Sequence, residues 1–413
     1  SFIKTIKKIY PDIILVCGGE HITACPEFCM EECPEIDICV FGEGEETSVD
    51  ILKAIEKKES LSKINGIVYR SEEKIIKNPT RSRISQLDTI PLPAWDLFPV
   101  ENYLSNGLGY GVNPGRTMPM LISRGCPYQC TFCSSPKMWT TKWQARDPDC
   151  VIEEMQFYID KYKATNFDFY DLTTIVRKDW IVKFCQKVIK KNWNISWQMP
   201  SGTRSEALDD ETLGLMMLSG QKHISYAPES ASKTTLTKIK KKIKIENMKK
   251  SIRSALSKGM SVKLNLMLGF PDETHKEVRE TLAFVIHSAF MGVDDVYLAS
   301  FAPYPGSELF DQLLKDKQIP TLDDDYFLNL TSYSDLLRSY SYSKHVGHHM
   351  LTVYRVGGMI TFYALSFIVR PKRIFRFFSN LINKREDSKF EKGIFQMLDR
   401  FKRTKKPPSS RIS

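Results

Sequence analysis

Apolar runs long enough to cross a bilayer, about 20 residues as a helix, are missing from this chain of 413 residues. The longest run, 356–369, is shorter, and extending it back towards Met350 takes in Arg355. Cysteine is dilute, with ten residues at 17, 25, 29, 33, 39, 126, 130, 133, 150 and 185. That spacing excludes a disulfide-stapled secreted scaffold and fits a reducing, cytoplasmic compartment. No signal peptide opens the chain and its first residue is Ser1, so a fragment of a longer protein is expected. Nucleic-acid signals are absent as well, with no recognition helix and no basic motif interleaved with aromatics. The formal charge of +10, much of it in 238–250 and 370–406, therefore points to anionic lipid or an anionic substrate, and no nucleic-acid partner is expected.

What is present is enough apolar material, 42% of residues, for two or three domains. The chemistry is densest in Gly125-Cys126-Pro127-Tyr128-Gln129-Cys130-Thr131-Phe132-Cys133-Ser134. Three cysteines at C-x3-C-x2-C spacing offer soft thiolates, which suit iron–sulfur clusters. A cubane has a ligand position on each of four irons and this loop fills three. The open iron is then free for a substrate or cofactor, which implies redox or radical chemistry and not a closed structural zinc site. Cys25, Cys29 and Cys33 have nearly the same pattern, C-x3-C-x3-C, but steps of four place them along one helix face. They are read as packing residues, with cluster ligation the alternative.

Ile13-Ile14-Leu15-Val16-Cys17 reads as a buried parallel strand ending in Gly18-Gly19. A helix over 26–33, a second strand over 36–41 ending in Gly42-Glu43-Gly44-Glu45, and a helix over 48–57 complete a βαβα pattern, half of a doubly wound sheet. The segment 64–77, with Asn65-Gly66, suggests a strand pair, and Ile90-Pro91-Leu92-Pro93-Ala94-Trp95 a stiff connector. Beyond it, strands are expected at 119–124, 166–171, 195–199, 223–227, 261–268 and 295–300. Helices lie between them at 151–163, 179–191, 209–218, 246–258 and 276–291. The fold class is α/β: a partial parallel (β/α)6 barrel, preceded by the back half of a doubly wound, Rossmann-like domain and followed by a helical C-terminal segment. The expected division is a partial α/β domain over 1–62, a hairpin and linker over 63–112, the barrel over 113–320, a helical cap over 321–398 and a disordered basic tail over 399–413. Function belongs at the carboxyl ends of the strands. These are the cysteine loop, Tyr170-Asp171, Pro200-Ser201-Gly202-Thr203-Arg204, Pro228-Glu229-Ser230 and Gly269-Phe270-Pro271.

The cysteine spacing, with Phe132 just before the last cysteine and a barrel of six βα units around it, resembles the radical S-adenosylmethionine (radical SAM) superfamily. The two upstream glycine turns resemble the back half of the cobalamin-binding domain found in one large branch of it. That branch includes anaerobic magnesium-protoporphyrin ester cyclases and carbon methyltransferases. The resemblance covers about 12–317 and implies an enzyme. Cys126, Cys130 and Cys133 would hold a 4Fe–4S cluster, and S-adenosylmethionine would bind its open iron and be cleaved to a 5′-deoxyadenosyl radical. Phe132 and Leu268 would lie by the adenine, Tyr170 and Asp171 by the methionine amino group, Ser201 and Arg204 by the ribose or carboxylate, and Glu229 among the polar cofactor contacts. Gly18, Gly19, Gly42, Glu43 and Gly44 would serve cobalamin. The plainer readings are that Arg204 and Glu229 pair with each other and that Asp171 caps the following turn. The D-x-H-x-x-G motif of cobalamin domains with an axial histidine is not found, and His21 is not read as a cobalt ligand.

The reaction implied is methylation or oxidative cyclisation at an unactivated carbon of a hydrophobic small molecule, with a reductant such as ferredoxin or flavodoxin. The alternatives are a cobalamin-independent radical SAM enzyme (rearrangement or sulfur insertion) and a non-catalytic iron–sulfur electron carrier. A carrier normally supplies a fourth cysteine, and the nearest spare is Cys150. Asp323 to Tyr326 reads as irregular. His345, His348 and His349 are expected to cluster in a helical stretch in which 345 and 349 share a face, which makes a metal conceivable, although a solvated or substrate-facing pair is favoured. The apolar stretch is read as a helix buried over the barrel mouth. The basic, aromatic segment after it gives 356–382 the character of a peripheral membrane contact.

Overall fold

In the computed structural model the described residues are 2–395, except 73, 113–114, 205–207, 334, 336–337 and 384–385. The expected tail over 399–413 lies outside them. Strands run in chain order as β1 Val16–Cys17, β2 Ile38–Val40, β3 Ile67–Ser71, β4 Lys74–Lys77, β5 Thr117–Met120, β6 Ser123–Arg124, β7 Gln144–Ala145, β8 Asn166–Phe169, β9 Ser196–Thr203, β10 His223–Glu229, β11 Ser261–Leu268 and β12 Asp295–Ser300. The chain forms two compact units: Ser1–Pro91 with Arg124–Ala145 and Pro303–Leu330, and Leu92–Ser123 with Arg146–Ala302 and Thr331–Ser413.

In the first unit the sheet order is β1-β2-β3-β4, with β1 and β2 parallel and the remaining pairs antiparallel. Alternation along the strands explains two apolar layers. Cys39 and Val68 face Ile22, Cys29, Met30 and Ile36. Ile38, Val40, Ile67 and Tyr69 face Ile51, Ala54 and Ile64 on the other side. The expected strand pair is present, but the chain reverses at Glu72 (φ 55°), and Asn65-Gly66 precedes β3 instead of turning it. The acidic stretch expected to be irregular is the helix Asp324–Leu330, opened by Asp323, whose carboxylate accepts from the Tyr326 N–H at 2.8 Å.

In the second unit six parallel strands stand in the order β12-β11-β10-β9-β8-β5, the α/β part-barrel the sequence implies. β8 is buried throughout and β11 on alternate residues, and such local burial patterns explain why β8 to β12 fall close to their expected places. Pro119 is tolerated in β5 because β5 is an edge strand, where a missing N–H breaks no ladder bond. The helices Pro148–Tyr162, Lys178–Lys191, Asp210–Leu218, Ile245–Ser257 and His275–Met291 supply the crossovers.

The C-terminal apolar helix is His348–Val369, long and apolar enough to cross a membrane by length and composition. That corrects the shorter run read from the sequence. The helix is not buried throughout: Leu351, Arg355, Phe362 and Ser366 are its buried residues, and it packs along β12 and the helix His275–Met291. Arg355 near its middle is fully buried and donates from Nε to the Leu298 carbonyl at 2.9 Å, from Nη1 to Ser339 Oγ at 2.6 Å and from Nη2 to the Tyr333 carbonyl at 3.1 Å. Further along, Tyr363 donates its hydroxyl to Asp295 at 3.2 Å. An edge strand leaves carbonyls without a neighbour, and Arg355 answers one of them. Arg355→Ala takes a donor from two buried acceptors, the Leu298 carbonyl and Ser339 Oγ, and opens a cavity. It is expected to destabilise this unit by about 3–5 kcal/mol, read as a fall in the urea midpoint. His345 precedes the helix, so it shares no helical face with His349. His348 Nδ1 instead accepts from the Ser341 N–H at 2.9 Å.

Candidate functional site

The cysteine segment belongs to the first unit. It follows Gly125, which has φ +85° and no room for a Cβ against the Lys142 carbonyl oxygen. Only glycine makes that turn, and the chain then carries three thiols in eight residues without entering a helix until Ser135–Trp139. Cys130 is buried, and Cys126, Cys133 and Phe132 are half-buried. The Cys133 N–H donates to the Cys130 carbonyl at 3.1 Å, which tightens the last turn. Three sulfurs on a non-helical loop held by a glycine cradle fit a cluster with one iron left open.

The loop is braced by residues the sequence reading assigned elsewhere or missed. Glu43 is buried, and its carboxylate accepts from the Ile84 N–H at 2.6 Å and from Arg124 Nη1 at 3.0 Å, with Arg83 Nη2 at 3.8 Å. Glu45 takes the other arm of Arg124. Arg83 and Arg124 lie over the Trp139 ring, at 5.7 and 5.5 Å from its centre. Arg83 Nη1 also donates to the Trp139 and Lys142 carbonyls at 2.6 Å. The turn expected to face cobalamin thus has its acidic side chains committed to the arginine two residues before Cys126. Its glycines stay open: a Cβ placed on Gly42 (φ +81°) or Gly19 (φ +104°) would have nothing within 4 Å, and Gly18 approaches Val40. Gly44 opens the helix Glu45–Lys57. Open glycine turns at the carboxyl ends of β1 and β2 fit a ligand passing over them.

The second unit carries the strand-end polar groups. Asp171, 1% exposed, accepts from the Ile122 N–H at 3.1 Å, from the Ser123 N–H and from Ser123 Oγ at 2.6 Å. Burial pushes its carboxyl up to about 6, against those hydrogen bonds. It staples the backbone that leads into β6 and does not cap the next helix. Tyr170 accepts from the Tyr110 N–H at 3.0 Å and donates to Asp168 at 3.2 Å; burial raises its hydroxyl to about 12. Ser201 is exposed near the end of β9, whereas Arg204 is buried and donates to the Lys242 carbonyl. Glu229, at φ +65°, accepts from Lys241 Nζ at 3.1 Å. Burial pushes its carboxyl up, opposed by Lys241 and the nearby Arg204 charge. The ion pair that Glu229 makes is with Lys241, which no motif signalled, and Arg204 acts on it by charge.

Leu268 is buried at the end of β11, and the Gly269 N–H that follows donates to Glu273 Oε2 at 2.7 Å. Burial raises the Glu273 carboxyl from 4.5 to about 7. The native state therefore keeps a proton that the unfolded chain releases from about pH 4.5 upward. This contribution is whole below that point, falls as pH rises towards 7, and is level above it. Urea midpoints of the chain relative to Glu273→Gln are expected to drop between pH 5 and 8, by an amount equivalent to at most ~3 kcal/mol.

A radical SAM superfamily model matches residues 120–285, and a B12 binding domain model matches residues 1–52. An uncharacterized methyltransferase of Pyrococcus horikoshii is 30% identical over 320 residues, covering 78% of this chain and 67% of its own length. The chain belongs to the radical SAM superfamily. The anaerobic magnesium-protoporphyrin IX monomethyl ester cyclase of Rubrivivax gelatinosus is 27% identical over 311 residues, covering 74% of this chain and 54% of that protein. The chain thus spans two thirds of one relative and about half of the other. In fold, this radical SAM chain is similar to the methyltransferase TsrM from Kitasatospora setae, solved with cobalamin and a 4Fe–4S cluster bound. The TM-score is 0.63 at 16% identity, over 76% of this chain and 63% of that one. Radical SAM enzymes work with a 4Fe–4S cluster and S-adenosylmethionine and need an electron donor and a small-molecule substrate; the B12 match adds cobalamin.

Proposed function

We propose that this radical SAM protein catalyses cobalamin-linked methyl transfer to an unactivated carbon of a hydrophobic small molecule, with oxidative cyclisation as the second reading. The observation that carries it is one chain matching both a B12 binding domain and a radical SAM domain, with three thiols on the loop of 126–133. The cyclisation reading is favoured by the likeness to the Rubrivivax cyclase. When bound, the cluster and S-adenosylmethionine supply a 5′-deoxyadenosyl radical and cobalamin supplies a methyl group.

The chain's own residues bind, orient and shield. Cys126, Cys130 and Cys133 hold the cluster, and Phe132 and Leu268 serve the adenine. Tyr170 and Ser201 offer hydroxyls for the methionine and ribose parts. Arg204 and Lys241, balanced by Glu229, give a cationic strand end suited to a carboxylate. Asp171 acts by holding the backbone at 122–123. The electron donor would be a ferredoxin or flavodoxin and the setting cytoplasmic. Peripheral membrane contact through 356–382 is supported by exposed Ile360, Ile368, Phe375, Phe378 and Ile382 beside Lys372 and Arg376.

The deciding experiment is anaerobic. The reconstituted chain is reduced, given S-adenosylmethionine, and assayed for 5′-deoxyadenosine; methylcobalamin and candidate hydrophobic acceptors are then added and methyl transfer followed. An intact cluster that yields no 5′-deoxyadenosine would favour an electron carrier. Formation of 5′-deoxyadenosine unaffected by cobalamin, with no methyl transfer, would favour the cobalamin-independent enzyme.

A further inference from the structure

His21, Cys25 and Cys29 form a second set of soft donors, separate in sequence from the loop of 126–133. Their ligand atoms all lie within 4.8 Å of one another. The backbone explains the grouping. The helix Glu20–Ala24 ends at Cys25, whose φ of −146° and ψ of 61° break the helical path before Pro26 opens the helix Pro26–Glu32. His21 and Cys25 then bracket the end of one helix, and Cys25 and Cys29 bracket the first turn of the next. Cys25 Sγ is 3.8 Å from His21 Nδ1 and 3.9 Å from Nε2. Burial is graded across the three: Cys29 is sealed against Ile22, Met30 and Ile36, Cys25 is half-buried, and His21 is exposed.

We propose that His21, Cys25 and Cys29 bind a borderline-soft divalent cation, zinc foremost, through one nitrogen and two thiolates, leaving one coordination position open. Packing accounts for Cys29, which any small apolar side chain could replace, but it does not account for a surface histidine set against Cys25. Zinc takes sulfur at about 2.3 Å and imidazole nitrogen at about 2.0–2.1 Å, so tetrahedral ligand atoms stand about 3.4–3.8 Å apart. The Cys25–His21 spacing is already close to that. The imidazole has surface room to turn either nitrogen inward, with its ring edge-on to Phe327 at a centre-to-centre distance of 5.2 Å. On binding, both thiols release their protons to solvent, and two thiolates neutralise the dication, so no net charge is left against the apolar layer. The open position lies on the exposed, His21 side. His21 and Ala24 line a cleft of about 410 Å³ with Glu20, Ser134, Tyr304 and Pro305. The Glu20 carboxylate there already accepts from Ser134 Oγ at 2.9 Å, so the fourth ligand is water or a donor atom from a small molecule in the cleft.

The test uses the whole chain with Cys126, Cys130 and Cys133 replaced by alanine, so that the loop contributes no thiol. Because that background holds no cluster, its outcome is separate from S-adenosylmethionine cleavage. Anaerobic titration with Co2+ is expected to give one bound equivalent, with sulfur-to-cobalt charge-transfer absorption and the intense visible bands of a tetrahedral ion, bleached by Zn2+. His21→Ala and Cys25→Ser should each lose the bands, while the neighbouring Cys33→Ser keeps them. Circular dichroism checks each fold, and His21→Ala decides the matter if Cys25→Ser unfolds, since His21 is exposed. Absence of the bands in the triple-alanine chain, or bands that survive His21→Ala, overturns the site.

Discussion

Cys130→Ala is expected to bring 5′-deoxyadenosine formation down to the level of a protein-free control. The argument is one of ligand count. A cubane held by three thiolates has one iron open; with two thiolates it has two irons without protein ligands, and the cluster is lost during anaerobic desalting. The substitution removes a single buried sulfur atom, so the loop's other supports, the Gly125 turn and the Arg124 contacts, remain. Two measurements check it on one sample: bound iron, expected to fall with the loss of the cluster's visible absorption, and 5′-deoxyadenosine after chemical reduction. Cys126→Ala and Cys133→Ala should behave alike. Cys150→Ala, at the start of the helix Pro148–Tyr162, should change neither measurement. Undiminished product in Cys130→Ala would place the chemistry on other ligands and remove the basis of the proposed reaction.

The barrel was legible because its signals are local. Strands such as Val262, Leu264, Leu266 and Leu268 in β11 bury alternate residues almost completely, and the amphipathic helices between strands repeat at helical spacing. The cysteine loop was legible for the same reason, since all three sulfurs sit in eight residues. What the sequence hid were partnerships across distance. Glu43 lies in a glycine-rich turn and so reads as a ligand loop, but its partners Arg83 and Arg124 stand far along the chain. Asp171 at a strand end looks like a cofactor contact or a cap, and its three donors lie on Ile122 and Ser123. Arg355 looked like an interruption of an apolar run, because the acceptors that make it necessary, at Leu298, Tyr333 and Ser339, come from loops and an edge strand with no periodicity of their own. Cys25, Cys29 and Cys33 follow helical spacing in the sequence, which shows neither the break at Cys25 nor the approach of His21. Residues that pack announce themselves by pattern, whereas residues that bridge do not.

Bridging also sets the second large expectation, that Glu43→Ala will cost the first unit about 3–5 kcal/mol. The Glu43 side chain is 4% exposed, and the two guanidiniums facing it, Arg124 and Arg83, are 12% and 13% exposed. Both lie over the one ring of Trp139, so their positive charges are held close together and only a carboxylate between them relieves the repulsion. Removing it leaves Arg83 with carbonyl partners and no counter-charge, and leaves the Ile84 N–H without its acceptor. Glu45 still holds the other arm of Arg124, which is why a partly loosened loop is expected and not an unfolded chain. The urea midpoint should fall by that amount, and the reconstituted protein should retain less iron, because Arg124 stands two residues before Cys126. Glu43→Gln, which keeps an acceptor for Ile84 but no charge, should fall between the alanine variant and the unaltered chain. The decisive comparison is the pair Glu43→Gln with Arg124→Gln. If the two charges act on each other, the double variant is less destabilised than the sum of the single ones, by about 1–3 kcal/mol. Strict additivity would show that Glu43 supports the loop through Ile84 and Arg83, and not through the charge of Arg124.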